Sequence, residues 1–201
     1  MTPLTIGVLA LQGDYEAHRA VLDELGAKTV PVRNPEQLAG LDGLVIPGGE
    51  SSTFLKFLER EGFLDRLREF VSTKPTFGTC AGAILLAKSV ENPSQESLGV
   101  LDIAIRRNAY GRQVDSTIIE SETRLGGSPL EMVFIRAPKI TSTGDDVEVL
   151  AIRDNDPVLV REKNILAATF HPELSQDRRV HQMFLEQVRK SKSSQAVPQT
   201  A

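Results

Sequence analysis

The 201 residues carry 23 Lys and Arg against 27 Asp and Glu, with 40% apolar and 25% charged residues, the balance of one ordinary soluble domain. A net charge of −4 spread along the chain excludes the clustered basic footprint of a nucleic-acid binder. No apolar run reaches the roughly 18 residues of a membrane helix, so no membrane association is expected.

The N-terminus lacks a basic segment and a long apolar core, so it does not read as a signal peptide. The single Cys, at 80, excludes an intrachain disulfide and fits a reducing cytoplasm. Residues 5–11 (TIGVLAL) form a β-branched run that predicts a buried parallel strand, ending in a turn at Gln12-Gly13. Asp14 is placed to cap a helix over 15–25, whose apolar face is Ala17, Val21, Leu22 and Leu25. A second strand is expected over 27–32, a helical turn at 36–38 and a third strand at 44–46. The turn Pro47-Gly48-Gly49-Glu50-Ser51 leads into helices over 53–58 and 64–71. A short strand at 76–78 meets Thr79-Cys80-Ala81-Gly82 and a helix reaching Ala87.

This alternation predicts an α/β fold: a three-layer open sheet, mostly parallel, with helices on both faces. The second half reads as strands at 101–106, 113–119, 132–135, 140–143, 147–152, 158–161 and 165–169. These must be shared between the central sheet and additional β-rich elements. A last helix spans 177–189 with Val180, Met183, Phe184 and Val188 inward. One domain is expected over 1–190, with a frayed tail over 191–201.

Chemistry concentrates at three turns. Cys80 lies at a strand-to-helix junction among small residues, where a nucleophile projects from the sheet end and the helix N-terminus favours a thiolate. The Ala81 N–H is then one oxyanion donor. Locally, a lone Cys among small residues reads equally well as a buried core cysteine. His171 follows the apolar strand at 165–169, a strand end where open α/β sheets gather active sites. Two residues on, Glu173 is within reach of its far ring nitrogen, which sets the tautomer and frees the other nitrogen for Cys80. His18 and His181 fall in helical patterns and read as surface or packing residues. One Cys and three scattered His offer no metal-ligand spacing, so neither a metal nor a cofactor is expected.

Gly49 is assigned as the second oxyanion donor, since a glycine turn allows close approach to a ligand. The turn lacks the Lys of a phosphate-binding loop, although a plain tight turn would use the same residues. Arg106-Arg107-Asn108 and Ile135-Arg136 are the remaining candidates, an Arg being the natural partner for a substrate carboxylate, against the reading that each Arg is a solvated cation.

Several segments together carry a resemblance over residues 5–190: IGVLALQG at 6–13, GLVIPGGESS at 43–52, FGTCAGAILLA at 77–87, RRNAYGRQVDS at 106–116, FIRAP at 134–138 and FHPE at 170–173. The chain resembles the class I, or triad-type, glutamine amidotransferases, and within them the glutaminase subunits of the two-subunit pyridoxal 5′-phosphate synthase. The resemblance implies a flavodoxin-like sheet and a glutaminase that hydrolyses L-glutamine to L-glutamate and ammonia. Cys80 would form a γ-glutamyl thioester, His171 would move the protons and Glu173 would orient His171. Gly49, Glu50 and Ser51 would line the glutamine site, completed by Arg107, Ile135 and Arg136. The implied partner is a (β/α)8-barrel synthase in a complex of about twelve copies of each subunit, which receives the ammonia and makes pyridoxal 5′-phosphate from a pentose 5-phosphate and glyceraldehyde 3-phosphate. Docking of that partner is implied to organise the oxyanion hole, with Gln12-Gly13-Asp14 on the docking face. Three alternatives keep the same residues: the glutaminase of a different amidotransferase, a Cys hydrolase of the same fold, and a non-catalytic protein that kept the fold.

Overall fold

The computed structural model describes residues 3–59, 62–107, 109 and 116–195. Strand β1 (Thr5–Leu9) leads through Gln12-Gly13 into α1 (Tyr15–Glu24). The Asp14 side chain makes no capping hydrogen bond, contrary to the sequence reading. Strand β2 (Lys28–Val32) follows, then a 3-10 turn at Pro35–Leu38 closed by a reciprocal Asn34–Gln37 capping box. Next come β3 (Gly43–Ile46), α2 (Ser51–Leu58), α3 (Phe63–Thr73), β4 (Thr76–Thr79) and α4 (Ala81–Leu86).

The second half holds β5 (Ala87–Glu91), β6 (Leu101–Arg106), β7 (Thr117–Ser121), β8 (Leu130–Phe134), β9 (Lys139–Thr143), β10 (Glu148–Arg153), β11 (Asp156–Glu162) and β12 (Ile165–Ala168). A 3-10 turn at Pro172–Leu174 and α5 (Arg179–Gln195) complete the described chain. Strand β5 corrects the sequence reading, which carried the preceding helix to Ala87. Its five residues place only Ala87 and Val90 in the core, too little alternation to signal a strand without its partner β6. The strand expected over 113–119 starts at Thr117, and 113–115 lie outside the described residues. Helix α5 runs past Arg189 into the segment read as tail; 196–201 lie outside the described residues.

Seven strands form the central sheet in the order β10-β11-β12-β4-β3-β1-β2. The five from β12 to β2 are parallel, and β11 and β10 add an antiparallel edge. Period-2 alternation sends side chains to both faces. Ile6, Val8, Val45, Phe77, Leu166 and Ala168 pack toward Leu22 of α1 and Val180, Phe184 and Val188 of α5. Leu9, Leu44, Ile46, Ile165 and Ala167 face the opposite core with Phe54 and Leu58 of α2, Leu67 and Val71 of α3, and α4. Each fully buried Leu, Ile, Val or Phe contributes roughly 1.5–3 kcal/mol. The β-rich excursion resolves into the sheet β5-β6-β9, joined to the second core, and the hairpin β7–β8, joined to the first. Among the described residues no helix is long and apolar enough to cross a membrane.

From β1 the chain steps outward to β2, then crosses back to β3 on the other side. Such a switch point opens a crevice at the carboxyl ends of the strands. The turns after β1, β3, β4 and β12 converge there. Their backbones touch directly: a Cβ on Gly82 would lie 2.0 Å from the Ile46 carbonyl oxygen. Gly82→Ala is therefore expected to push α4 off β3 and cost about 1–3 kcal/mol or more. The check is a fall in melting temperature of about 2–4 °C per kcal/mol.

Candidate active site

Cys80 joins β4 to α4. Its N–H donates to the Ala168 carbonyl of β12 at 2.9 Å, and its own carbonyl accepts from Ile84 at 3.2 Å. With φ 48° and ψ −103° it holds a left-handed conformation that costs a non-glycine residue on the order of 1–3 kcal/mol. Neighbouring backbones hold that bend on both sides. The site is therefore a strained strand-to-helix turn, a setting that projects a nucleophile. Cys80 is largely buried and lines a cleft of about 180 Å³.

His171 follows β12, with its N–H on the Val133 carbonyl at 2.8 Å. Pro172, preset for helical φ, starts the 3-10 turn and folds Glu173 back. Glu173 Oε1 then lies 2.7 Å from His171 Nδ1, both side chains buried. The Cys80 and His171 side chains meet in the cleft beside Gly48, and with Nδ1 on Glu173, Nε2 is the nitrogen left to serve the sulfur. The three side chains thus meet in line, with His171 in the middle.

Charge follows from this packing. Burial lowers the His171 pKa, but the hydrogen bonds from Cys80 and Glu173 and their negative charges outweigh it, raising it to about 10. Burial likewise opposes ionisation of Glu173, but the polar edge of the adjacent His18 and the hydrogen bond and charge of His171 overcome it and bring the carboxyl down to about 2. At neutral pH the site holds an imidazolium beside an ionised carboxylate.

The glycine turn forms the facing wall. A Cβ on Gly48 would stand 2.5 Å from His171 Cε1, so only glycine leaves room for the ring. Gly49 adopts φ +150°. The Gln12 side-chain amide spans the next residue, donating to the Glu50 carbonyl and accepting from the Glu50 N–H at 3.3 Å. Gly49, Glu50, Ser51, Arg107, Ile135 and Arg136 all line the cleft with Cys80 and His171. Arg107 Nη2 lies 4.0 Å from Glu50 Oε1. Ala81 is buried in the first turn of α4, where N–H groups have no intrahelical acceptor. Asn108 and Gly111-Arg112-Gln113, which carried part of the resemblance, lie outside the described residues.

Other residues entered unannounced. Asp14, Ile84 and Pro138 line the cleft. Asp14 brings a carboxylate oxygen within 4.8 Å of ligand atoms on His171 and Glu173, but a metal there would have to break the His171–Glu173 hydrogen bond. His18 and His181, read as surface or packing residues, are fully buried; His18 reaches Glu173 from behind, and His181 reaches His18. A signal existed in their spacing: His18 sits three and four residues before Val21 and Leu22, and His181 three and four before Phe184 and Leu185, both on inward stripes.

The model of the SNO glutamine amidotransferase family matches residues 8–190. The chain is 63% identical over 192 residues to a protein of Koribacter versatilis named pyridoxal 5′-phosphate synthase subunit PdxT, covering 96% of this chain and all of that one. A protein of the same name from Thermotoga petrophila is 53% identical over 189 residues, covering 92% of this chain and all of the other. Among solved structures, one described as a glutamine amidotransferase superposes with a TM-score of 0.86 at 46% identity, covering 92% of this chain and 98% of that one. A putative GMP synthase component from Thermoplasma acidophilum shares the fold, with a TM-score of 0.72 at 21% identity over 98% of this chain and 100% of the other.

Proposed function

The chain belongs to the SNO glutamine amidotransferase family, and on that premise we propose that it is the glutaminase subunit of a pyridoxal 5′-phosphate synthase, with Cys80, His171 and Glu173 as its catalytic residues. The observation that carries the reading is the buried Cys80–His171–Glu173 array at the carboxyl ends of β4 and β12, opening on the cleft. A cleft of about 180 Å³ suits a small metabolite rather than the larger ligands of pockets of roughly 300–1,000 Å³.

The Cys80 thiolate attacks the side-chain amide carbon of glutamine. Negative charge develops on the amide oxygen, where the N–H groups of Gly49 and Ala81 stabilise it. His171 gives its proton to the departing nitrogen, which leaves as ammonia, and a γ-glutamyl thioester remains on Cys80. The now neutral His171 takes a proton from water, whose oxygen attacks the thioester. Glutamate leaves, and the thiolate and imidazolium are restored. Glu173 holds the imidazole orientation and its charge throughout. Arg107 and Arg136 supply guanidinium groups for the substrate carboxylate, and Glu50 a carboxylate for its ammonium.

Ammonia is uncharged and volatile, so release into solution would waste it. In this reading it passes to a (β/α)8-barrel synthase partner, in a complex of about twelve copies of each subunit, which makes pyridoxal 5′-phosphate from a pentose 5-phosphate and glyceraldehyde 3-phosphate. Docking is proposed to act through Gln12-Gly13-Asp14, because the Gln12 amide grips the peptide that follows Gly49. An unpaired thiol nucleophile suits the reducing cytoplasm.

The test is ammonia and glutamate release from glutamine, with and without the cognate barrel synthase. Completion of one oxyanion donor on docking should raise turnover about 10²–10³-fold. Release that ignores the synthase would leave a glutaminase with a different partner. No release under either condition would overturn the catalytic reading.

A further inference from the structure

Two buried imidazoles stand behind the triad, and the proposed mechanism gives them no part. His18 on α1 and His181 on α5 are fully buried, and Phe77 packs edge-on against both rings, 6.0 Å from His18 and 5.6 Å from His181 between centroids. His18 Nδ1 lies 3.0 Å from His181 Nε2. On its other side, His18 Nε2 lies 3.0 Å from Thr79 Oγ1 and 3.3 Å from Glu173 Oε2. Glu173 therefore has one oxygen on His171 and the other facing His18.

The proton positions follow from the partners. Burial holds both rings neutral: it lowers the His181 pKa to about 3 and lowers that of His18, despite the opposing pull of Glu173 on each. Each ring then carries a single N–H. If that of His18 is on Nε2, it donates to Thr79 Oγ1 with its positive edge turned toward Glu173 Oε2, and Nδ1 is left as a lone pair that His181 Nε2–H fills. His181 Nδ1, buried without a partner among the described residues, is then a bare lone pair. With the reverse assignment, a His18 lone pair would face the carboxylate and a His181 N–H would be buried without an acceptor. Orphaned buried N–H groups are the rarer and costlier case. The arrangement thus selects one tautomer for both rings.

We propose that His18, locked in its Nε2–H tautomer by His181 and steadied by Thr79, is a positioning residue that holds the second oxygen of Glu173 so that the first stays on His171. The proposal rests on the Cys80–His171–Glu173 reading above. The geometry favours it over simple core filling. Glu173 Oε2 is buried and makes no hydrogen bond among the described residues; His18 Nε2, at 3.3 Å, is the polar atom that faces it, and without that neighbour the carboxylate would be free to rotate away from His171. Besides His18, the charged and titratable groups around this chain of contacts are Asp14, His171 and Arg178.

The test uses the full-length protein in two states. In the free protein, the downfield proton of the His171 Nδ1–H···Glu173 hydrogen bond is followed by NMR; with three histidines in the sequence, single substitutions assign it. In the presence of the synthase, kcat and KM for glutamine are measured. His18→Phe keeps a ring against Phe77 but removes the N–H. It is expected to broaden or abolish the His171 proton signal and to lower kcat about 10–100-fold, the usual cost of losing the outer partner of an oriented group, with KM little changed. His18→Gln carries an amide N–H near the Nε2 position and is expected to restore the signal and most of kcat. A folded His18→Phe with the wild-type signal and kcat would overturn the proposal, as would a folded His18→Gln as impaired as His18→Phe. Should His18→Phe fail to fold, His181→Phe, which releases the tautomer lock, must weaken the same signal; an unchanged signal overturns the proposal. Undiminished turnover in a Cys80 variant would instead sink the triad reading, and the NMR signal of the free protein keeps the two failures apart.

Discussion

Cys80→Ser is expected to lower glutamine turnover by roughly 10⁴-fold or more, to the level sustained by binding and oxyanion stabilisation alone. The reason lies in His171. With its pKa raised to about 10, it is an imidazolium at neutral pH. That state supplies the proton for the departing nitrogen. A serine hydroxyl is far less acidic than a thiol and a weaker nucleophile at neutral pH, and losing the sulfur also removes two of the interactions that hold His171 charged. The fold should survive, because serine meets the same backbone requirement at φ 48° and leaves the bonds to Ala168 and Ile84 intact. Ammonia release in the presence of the synthase, with circular dichroism as the folding control, makes the measurement. Turnover within about tenfold of wild type would remove Cys80 from the nucleophile's role.

Glu173→Gln should be nearly as damaging, at roughly 10³–10⁴-fold in kcat, the loss typical when the acid of a triad becomes an amide. The amide oxygen can still meet His171 Nδ1–H, so geometry is kept while charge is lost. His171 then falls from about 10 toward or below its ordinary 6.5. Because the productive pair needs the imidazolium, the alkaline limb of the residual pH–rate profile should move to lower pH.

Stability has its own sign. Glu173, at about 2 when folded against 4.5 ordinarily, adds stability above pH 4.5 that is lost as pH falls toward 2. His171, at about 10 against 6.5, adds stability below pH 6.5 that is lost as pH rises through 10. The stability gap between wild type and Glu173→Gln should therefore be widest between about pH 4.5 and 6.5 and narrow on both sides. Denaturant unfolding across that range reads it. A gap that grows steadily into the alkaline would contradict the His171–Glu173 coupling.

The local chemistry of the chain is enough to place several elements. Apolar runs locate β1 and β3, which end in glycine turns, and β12, which ends at His171-Pro172, since a strand buried on both faces needs an almost wholly apolar composition. Gly78 and Gly82 around Cys80, and Pro172 between His171 and Glu173, make two of the site turns legible, because small residues and a fixed φ restrict the local backbone. The His171–Glu173 hydrogen bond spans two residues and is a local event. Strand β5 was illegible for the opposite reason: two core residues in five make a strand only once β6 supplies the ladder.

Residue order alone therefore carries the succession of strands and helices through the first half, the three turns that line the cleft, and the proposal of Cys80, His171 and Glu173 as the catalytic residues. Packing in three dimensions is what lays β4 beside β12 and brings residues 80 and 171 into contact across 91 positions of chain. Packing also makes His18 and His181, in helices 163 residues apart, meet behind Glu173, and sets Gln12 on the backbone beyond Gly49. A residue's own neighbours set its backbone and its exposure pattern. Which distant side chain satisfies its polar atoms depends on how sheet order and helix packing bring separate segments to one point, and burial then makes that partner obligatory.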